Sequence, residues 1–165
     1  MMISIREARR SDVNALCSIL NEIITIGGTT GFESRFSAAE FISRFLSEPN
    51  CICCFLAEDN ELILGFQSLS IYPGLPDRWA DIATFARVNS NNKGVGTSLF
   101  EATLIHLQHK NVDMINATIR SDNTAGLNYY SKMGFEQYSV AEKVPLLDGT
   151  PVDRISKKYA VRKTV

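Results

Sequence analysis

The sequence predicts an α+β fold (α/β/α), in which a mixed, mostly antiparallel sheet of about seven strands carries helices on both faces. Two observations predict it. Short apolar segments typical of strands interleave with segments whose apolar residues recur at helical spacing. Their order is strand, two helices, three strands, helix, strand, helix, two strands, with no repeat and no low-complexity linker. A sheet covered by helices on both faces accommodates that order.

The composition favours one globular domain over residues 1–165, because 45% of the residues are hydrophobic and can bury a core. The formal net charge is -1 and no basic run is present, which disfavours nucleic acid as a partner. The N-terminus has no apolar signal-peptide core, and no stretch of about 18 apolar residues occurs. We therefore expect a cytoplasmic protein that does not associate with membranes.

The first third of the chain predicts one strand and two helices. Residues 3–8 have the pattern of a strand, and Ser11 is the expected cap of the first helix. That helix ends before a glycine- and hydroxyl-rich loop over residues 27–36. Ser37 and Glu40 form the pattern of a capping box, which predicts the start of a short second helix.

The middle of the chain predicts a hairpin followed by a third strand. Residues 51–57 and 62–72 are the hairpin strands, with the turn at Asp59 and Asn60, and residues 79–88 form the next strand. The remaining predicted elements are a helix over 94–110 with Ile105 or His106 on its buried side, a strand over 114–119, a helix capped by Asn123, and strands over 135–144 and 152–161.

Three of the four cysteines lie together in one apolar strand. Strand alternation places Cys51 and Cys53 on one face and Cys54 on the other, so this segment does not offer a tetrahedral set of ligands. We expect reduced cysteines packed in a strand and no metal site.

Residues 79–100 run from a strand through a polar turn into a helix, which is the geometry of an anion site. Main-chain N–H groups at a helix start have no internal partners and lie at the positive end of the helix dipole, so they can bind a phosphate or pyrophosphate. Gly94 and Gly96 lack a Cβ and allow close approach. A G-x-G pattern alone also occurs in other nucleotide-binding turns and in plain tight connections.

Two segments resemble motifs of the GNAT superfamily of N-acetyltransferases. Residues 91–96 resemble its pyrophosphate motif Q/R-x-x-G-x-G/A, with Asn91 in place of the first Gln or Arg and Lys93 as the nearby cation. Residues 123–135 resemble its N-x-x-A-x-x-x-Y-x-K-x-G-F signature, with Gly126 in place of alanine. The residues on pattern there are Asn123, Tyr130, Lys132, Gly134 and Phe135.

The resemblance extends to the opening residues 3–8 and to Asp12, so it covers nearly the whole chain. Residues 28–33 further resemble the phosphinothricin acetyltransferase-like branch. The resemblance implies that acetyl-CoA binds as a cosubstrate, without a metal, and that the main-chain N–H of Ala86 polarises the thioester carbonyl. The implied cosubstrate-binding residues are Phe85, Ala86, Arg87, Asn91, Asn92, Lys93, Gly94, Val95, Gly96, Thr97, Asn123 and Tyr130.

Tyr130 is the expected general acid toward the leaving thiolate, as the resemblance implies. It lies seven residues after Asn123, about two helical turns along and on the same side. A phenol with a pKa of about 10 suits a thiolate leaving group if the two come within hydrogen-bond reach. Tyr129 is the alternative donor, and packing against the last strands is the other interpretation of Tyr130.

Asp81 is the candidate general base, because many relatives have a glutamate at this strand position that deprotonates the amine. Aspartate is one methylene shorter and could act through an ordered water. A solvated carboxylate at a strand end is the equal alternative.

The resemblance implies that the acceptor is the primary amine of a small molecule, with an amino acid or analogue favoured, and that the protein forms a homodimer. The expected acceptor-site residues are Phe32, Glu33, Arg78 and Trp79. Arg78 could hold a substrate carboxylate or be a solvated loop charge. Two other functions stay open: a non-catalytic acyl-CoA sensor, and a phosphate-binding α/β domain unrelated to acetyl transfer.

Overall fold

The computed structural model describes residues 2–90 and 93–164. The strands within these residues are β1 (Ser4–Glu7), β2 (Cys51–Asp59), β3 (Leu62–Ser70), β4 (Trp79–Ala86), β5 (Met114–Arg120), β6 (Glu136–Pro145) and β7 (Pro151–Ala160). The helices are α1 (Val13–Ile26), α2 (Ala38–Phe41, continued by a π-helical turn at Ile42–Leu46), α3 (Val95–Leu107) and α4 (Thr124–Lys132), and a 3-10 turn at Arg10–Asp12 precedes α1. None of these helices has the length and apolar character needed to cross a bilayer.

The strands form one sheet in the order β1-β2-β3-β4-β5-β7-β6. Every neighbouring pair is antiparallel except β4 and β5, which are parallel. One apolar core lies between the sheet and the helices α1 and α2, and a second lies between the sheet and the helices α3 and α4. The predicted α+β fold with helices on both faces of a mostly antiparallel sheet is confirmed.

The central parallel pair is short. The register pairs Trp79 with Met114, Ala80 with Ile115 and Asp81 with Asn116, and within the described residues the ladder continues no further. Both strands run on beyond these pairs, β4 to Ala86 and β5 to Arg120. The two halves of the sheet therefore part at Asp81 and Asn116 and leave a cleft between β4 and β5.

The start of α1 differs from the prediction. Ser11 lies inside the 3-10 turn, and the residue before α1 is Asp12. The Asp12 carboxylate accepts a hydrogen bond from the Arg9 main-chain N–H (2.8 Å) and pairs with the Arg6 guanidinium (2.8 Å). This carboxylate fixes the tight first turn, so the prediction of a Ser11 cap is wrong.

The capping box of α2 is confirmed. The Ser37 hydroxyl accepts from the Glu40 N–H (3.1 Å), and the Glu40 carboxylate accepts from the Ser37 N–H (3.3 Å). The hairpin turn is one residue later than predicted, because Asn60 and Glu61 both have positive φ (48° and 69°) between β2 and β3. Two successive residues with positive φ match the twist of the flanking strands.

A β-bulge corrects the predicted placement of the cysteines. The register jumps by one between Cys51 and Cys53, so Ile52 is the extra residue and alternation fails there. Cys51 and Cys54 consequently face the α1 side, and Cys53 faces the α3 side. Burial raises the pKa of Cys51 to about 11 and that of Cys53 to about 12, as expected for unreactive thiols. In the part of the chain described, no group of acidic, histidine or cysteine side chains is placed to hold a metal.

The buried side of α3 contains a polar residue that the apolar pattern did not indicate. Thr103 is fully buried, whereas Ile105 is 72% exposed. The His106 ring contacts the edge of Phe55 at a centroid distance of 5.7 Å. Of the two predicted alternatives, His106 therefore faces the sheet and Ile105 does not.

Candidate active site

The edge of β4 that faces the cleft carries main-chain groups that no neighbouring strand pairs with. The Arg87 N–H donates to the Leu64 carbonyl (2.7 Å), which sets the alternation between β3 and β4. Residues an even number of positions before Arg87, such as Phe85 and Ala83, therefore bond to β3 through their main chain. The residues between them direct their N–H and C=O groups to the opposite edge of β4. Beyond Ile82, which adjoins the last β4–β5 pair, these are Thr84 and Ala86. They offer donors and acceptors along the cleft.

This alternation divides the three strand residues predicted to bind the cosubstrate. The main chain of Ala86 faces the cleft, as the prediction requires. Phe85 directs its main chain to β3 and its side chain into the α1-side core. Arg87 also turns to β3, where its Nε donates to the Ile63 carbonyl (2.6 Å). Thr84, which the sequence did not single out, takes the place next to Ala86 along the cleft.

The start of α3 lies at the wide end of the cleft. Gly94 caps the helix with φ +83°, a left-handed conformation that favours glycine. Gly96 has a different reason to lack a side chain, since a Cβ there would lie 2.5 Å from Cε1 of Tyr129. The neighbouring predicted contacts are Lys93, which is exposed, Val95, which is buried, and Thr97, which is half-buried. Asn91 and Asn92 lie outside the described residues.

Tyr130 and Thr84 meet at the cleft on the α3 side of the sheet. The Tyr130 hydroxyl and the Thr84 Oγ1 are 2.9 Å apart, and Tyr130 is buried. Burial raises the pKa of Tyr130 far above its ordinary value, and the hydrogen bonds from Thr84 offset part of that rise. The phenol is consequently protonated at physiological pH.

Tyr129 is anchored away from this point. Its hydroxyl donates to the Gly96 carbonyl (2.8 Å) and accepts from Gln67 Nε2 (3.1 Å). Burial is the main cause that raises its pKa to about 12. Tyr129 thus connects α4 to the first turn of α3, and its hydroxyl proton is engaged by the Gly96 carbonyl.

Asp81 lies at the apex of the cleft on the opposite, α1 side of the sheet. It is three residues from Thr84, so strand alternation places the two side chains on opposite faces. Asn116 Nδ2 donates to Asp81 Oδ1 (2.9 Å), and the Asn116 Oδ1 accepts from the Tyr138 hydroxyl (2.5 Å). Burial raises the pKa of Asp81, while the Asn116 hydrogen bond and the Arg44 charge lower it.

Of the four predicted acceptor-site residues, only Trp79 lies on the same strand as Asp81. Trp79 shares its face of β4 and contacts the Tyr138 ring edge-on (5.7 Å). Arg78 forms a bidentate ion pair with Asp113 (2.5 and 2.8 Å), so its guanidinium is engaged at the strand end.

The other two predicted acceptor-site residues lie in the loop between α1 and α2. Phe32 packs edge-on against Phe36 (5.1 Å). The Glu33 carboxylate accepts the Leu147 N–H (2.9 Å), which ties the loop to the β6–β7 turn. Both line a cavity of about 350 Å³ that also includes Phe36 and Leu147.

Arg44 is the cation that sequence reasoning missed on the Asp81 side. Its guanidinium lies 5.1 Å from the Phe45 ring centroid, and its Nη1 is 3.4 Å from the Ser70 Oγ. Ser70 is the direct cross-strand partner of Asp81. Arg44 lines a cavity of about 440 Å³ between α2 and the β3–β4 connection, and no acidic side chain pairs with it among the described residues.

Asn123 caps α4 as predicted and has a second contact. Its Oδ1 accepts from the Gly126 N–H (2.9 Å), and its Nδ2 donates to the Thr29 carbonyl (2.8 Å) in the loop between α1 and α2. A Cβ at Gly126 would lie 2.4 Å from that Nδ2. Glycine in place of the usual alanine therefore leaves room for the bond between α4 and the loop.

Comparison with known proteins points in one direction. The sequence model of the acetyltransferase (GNAT) domain matches residues 5–155. No curated protein sequence matches the chain. Among solved structures, an N-acetyltransferase from Staphylococcus aureus Mu50 superposes with a TM-score of 0.86 at 18% identity, covering 98% of this chain and 100% of its own.

Two further structures show how varied such relatives are. A phosphinothricin acetyltransferase from Sinorhizobium meliloti, solved in complex with acetyl-CoA, has a TM-score of 0.85 at 17% identity and covers 98% of this chain and 89% of its own. A ribosomal-protein-S18-alanine N-acetyltransferase from Escherichia coli has a TM-score of 0.75 at 18% identity, with coverages of 99% and 97%. At these identities the likeness establishes the fold, and the acceptors named for the two proteins differ.

Proposed function

The chain belongs to the GNAT acetyltransferase family, and on this premise we propose that it transfers an acetyl group from acetyl-CoA to the primary amine of a small molecule, an amino acid or analogue. One observation carries the proposal. The cleft where β4 leaves β5 has a carboxylate, Asp81, on one side of the sheet and a protonated phenol, Tyr130, on the other. A base and an acid on opposite sides of one opening suit direct transfer in a ternary complex.

The cleft fits acetyl-CoA by the chemistry of its walls. The main-chain groups of Thr84 and Ala86, which no neighbouring strand pairs with, match the thioester carbonyl and the amides of an extended pantetheine arm. The start of α3, where Gly94 adopts its left-handed conformation, matches a pyrophosphate. Acetyl-CoA supplies the acetyl group and the thiol leaving group, and the protein contributes the groups that position them and move protons.

Each protein group has a distinct task in this proposal. Asp81 takes the proton from the ammonium group, directly or through water, so that the nitrogen can attack the carbonyl. The Thr84 N–H, which faces the cleft beside the Tyr130 hydroxyl, polarises the carbonyl oxygen. Ala86 lies two residues farther toward α3, roughly 6–7 Å along the strand, so Thr84 suits this task better. Tyr130 donates its proton to the sulfur as the bond to carbon breaks; the second proton that the nitrogen loses passes to water, from which the Tyr130 phenolate is reprotonated.

The preference for an amino acid or analogue is supported by Arg44. Its guanidinium has no acidic partner among the side chains described, and Ser70 connects it across one strand pair to Asp81. A carboxylate held by Arg44 would leave the adjacent amine of the same molecule near Asp81. We expect kcat/KM for methionine to exceed that for 3-(methylthio)propylamine by about 10- to 100-fold. Arg44→Gln should remove this preference through KM, while the exposed Arg10→Gln should keep it.

The proposed function is tested by thiol release from acetyl-CoA across amino acids, analogues, polyamines and aminoglycosides. Tyr130→Phe should lower kcat by about 10²- to 10⁴-fold, since it removes the proton donor. The matched control is Tyr129→Phe, which removes a neighbouring hydroxyl whose proton already goes to Gly96. We expect that control to lose stability and to lose much less kcat than Tyr130→Phe, because it keeps the proton donor.

Three other results would each contradict part of this assignment. A larger loss of kcat in Tyr129→Phe would exchange the roles of the two tyrosines. Acetyl-CoA binding by calorimetry without turnover of any amine would support the non-catalytic acyl-CoA sensor. Absence of binding would support a phosphate-binding domain without acetyl transfer.

A further inference from the structure

A branched chain of buried hydrogen bonds leads to Tyr130, and Gln67 lies at its centre. Gln67 lies on β3 directly opposite Thr84 and is fully buried. Its Nε2 is 3.0 Å from the Thr84 Oγ1 and 3.1 Å from the Tyr129 hydroxyl, and its Oε1 is 2.7 Å from the Thr103 Oγ1. The Thr84 Oγ1 in turn meets the Tyr130 hydroxyl at 2.9 Å.

The direction of these bonds follows from one group that can only accept. The Gly96 carbonyl has no proton, so the Tyr129 hydroxyl must donate to it. The Tyr129 oxygen must then accept from Gln67, which identifies the facing Gln67 atom as Nε2. The second Nε2 proton goes to the Thr84 Oγ1, and the Thr103 hydroxyl donates to Oε1. Every orientation up to Thr84 is thereby fixed.

We propose that Gln67 is a positioning residue that sets the direction of the last bond, so that Thr84 donates to Tyr130 and the Tyr130 proton is left for the departing thiolate. The inference rests on the proposed function, in which Tyr130 is the proton donor. Since Thr84 already accepts from Gln67, its single proton is available to the phenol oxygen. The same donation stabilises the phenolate after its proton has moved to sulfur.

The direct test replaces the amide of Gln67, which donates to Thr84, with a carboxylate of nearly the same shape, which can only accept. In Gln67→Glu, an ionised carboxylate accepts from Thr84, so Tyr130 must donate to Thr84 and withdraws its proton from the cleft. We expect kcat to fall about 10- to 100-fold, with KM for acetyl-CoA changed less than threefold. The activity of the variant should recover as the pH is lowered and the introduced carboxylate becomes neutral. Its pH–rate profile should therefore show a decline toward high pH that the wild type lacks.

A second pair of variants tests the proposal if Gln67→Glu does not fold. Thr84→Val keeps the side-chain shape and the main-chain N–H but removes the hydroxyl, and we expect a similar loss of kcat without the new decline toward high pH. Thr84→Ser restores the hydroxyl and should restore most of the activity. The structural control is Thr103→Val, which leaves Gln67 Oε1 without its buried donor and should cost stability with little change in kcat.

These outcomes separate the inference from the function on which it rests. If Tyr130→Phe retains kcat, the assigned proton donor is wrong. If Tyr130→Phe is inactive while Gln67→Glu and Thr84→Val keep wild-type kcat and pH profile, only the positioning role is wrong. It is also wrong if Thr103→Val loses as much kcat as Gln67→Glu, because general loosening of the core would then explain both.

Discussion

For Asp81, the proposed general base, the requirements of catalysis and of stability are opposed. Burial is the largest cause of its raised pKa, so the folded protein disfavours the ionised form that a general base needs. Above the unfolded-state pKa of about 3.9, the fold bears the cost of that charge. The cost is complete once the pH exceeds the folded-state pKa, and it disappears at lower pH.

Asp81→Asn should therefore raise the melting temperature at pH 7–8, with the gain shrinking as the pH falls toward 4. It should also lower kcat/KM by about 10²- to 10⁴-fold, because the base is lost. Thermal denaturation between pH 4 and 8 and thiol release measure the two effects. Asp113→Asn is the matched control of opposite sign. Because Arg78 lowers the pKa of Asp113, removing the Asp113 carboxylate should not raise the melting temperature. An unchanged kcat/KM in Asp81→Asn would exclude Asp81 as the base.

Gly96 makes a second residue-scale prediction, because its α-hydrogen faces a buried ring. Gly96→Ala would place a Cβ 2.5 Å from the Tyr129 Cε1, and that ring is held by two hydrogen bonds. We expect a loss of about 1–3 kcal/mol in unfolding free energy and a higher KM for acetyl-CoA. Chemical denaturation measures the first. Gly31→Ala, where a Cβ meets nothing within 4 Å, is the control, and equal losses in both would contradict the packing argument.

The residues predictable from sequence are those whose role is local. Gly94 and Asn123 act at the starts of helices, where spacing along the chain determines geometry. Gln67, Thr84 and Arg44 act through partners across strands or on other elements, with Gln67 and Tyr129 separated by 62 residues. The spacing of residues along the sequence does not indicate such distant partners, so these three residues were identified only in the folded structure.

Helices and strands were predicted well where capping residues mark their ends. They were predicted less well where the register between paired strands determines their geometry. The Ser37 box and the Asn123 cap lie where the patterns place them. The bulge at Ile52 and the early departure of β4 from β5 depend on pairing with distant strands. The sequence therefore predicted the strand of the candidate site but not the cleft beside it.

The cap of α4 yields a prediction about elements. Asn123→Ala removes the bond to the Gly126 N–H and the bond to the Thr29 carbonyl. We expect a loss of about 1 kcal/mol in unfolding free energy and a higher KM for acetyl-CoA, because the loop between α1 and α2 is released from α4. Ser37→Ala removes a comparable cap from α2 and should match the stability loss without the change in KM. Equal KM values in the two variants would show that the loop bond does not serve the site.

At the scale of the whole molecule, the two halves of the sheet share only three residue pairs along the β4–β5 ladder as described. A ligand that bonds to the free edge of β4 while resting on α3 and α4 bridges these halves. At 100 times its dissociation constant, acetyl-CoA should add about 2.7 kcal/mol to the unfolding free energy. That corresponds to a rise of roughly 5–10 °C in melting temperature for a domain of this size.

Hydrogen exchange resolves the same prediction along β4. The amides of Ala83, Phe85 and Arg87 point to β3 and should be protected in the free protein. Those of Thr84 and Ala86 point into the cleft and should become protected only when acetyl-CoA is added, because its thioester carbonyl and its pantetheine arm supply their acceptors. Adenosine 3′,5′-bisphosphate, which lacks that arm, is the control and should leave both amides exchanging. If all five amides respond alike, acetyl-CoA tightens the sheet in general, and the alternating edge of β4 is not its binding surface.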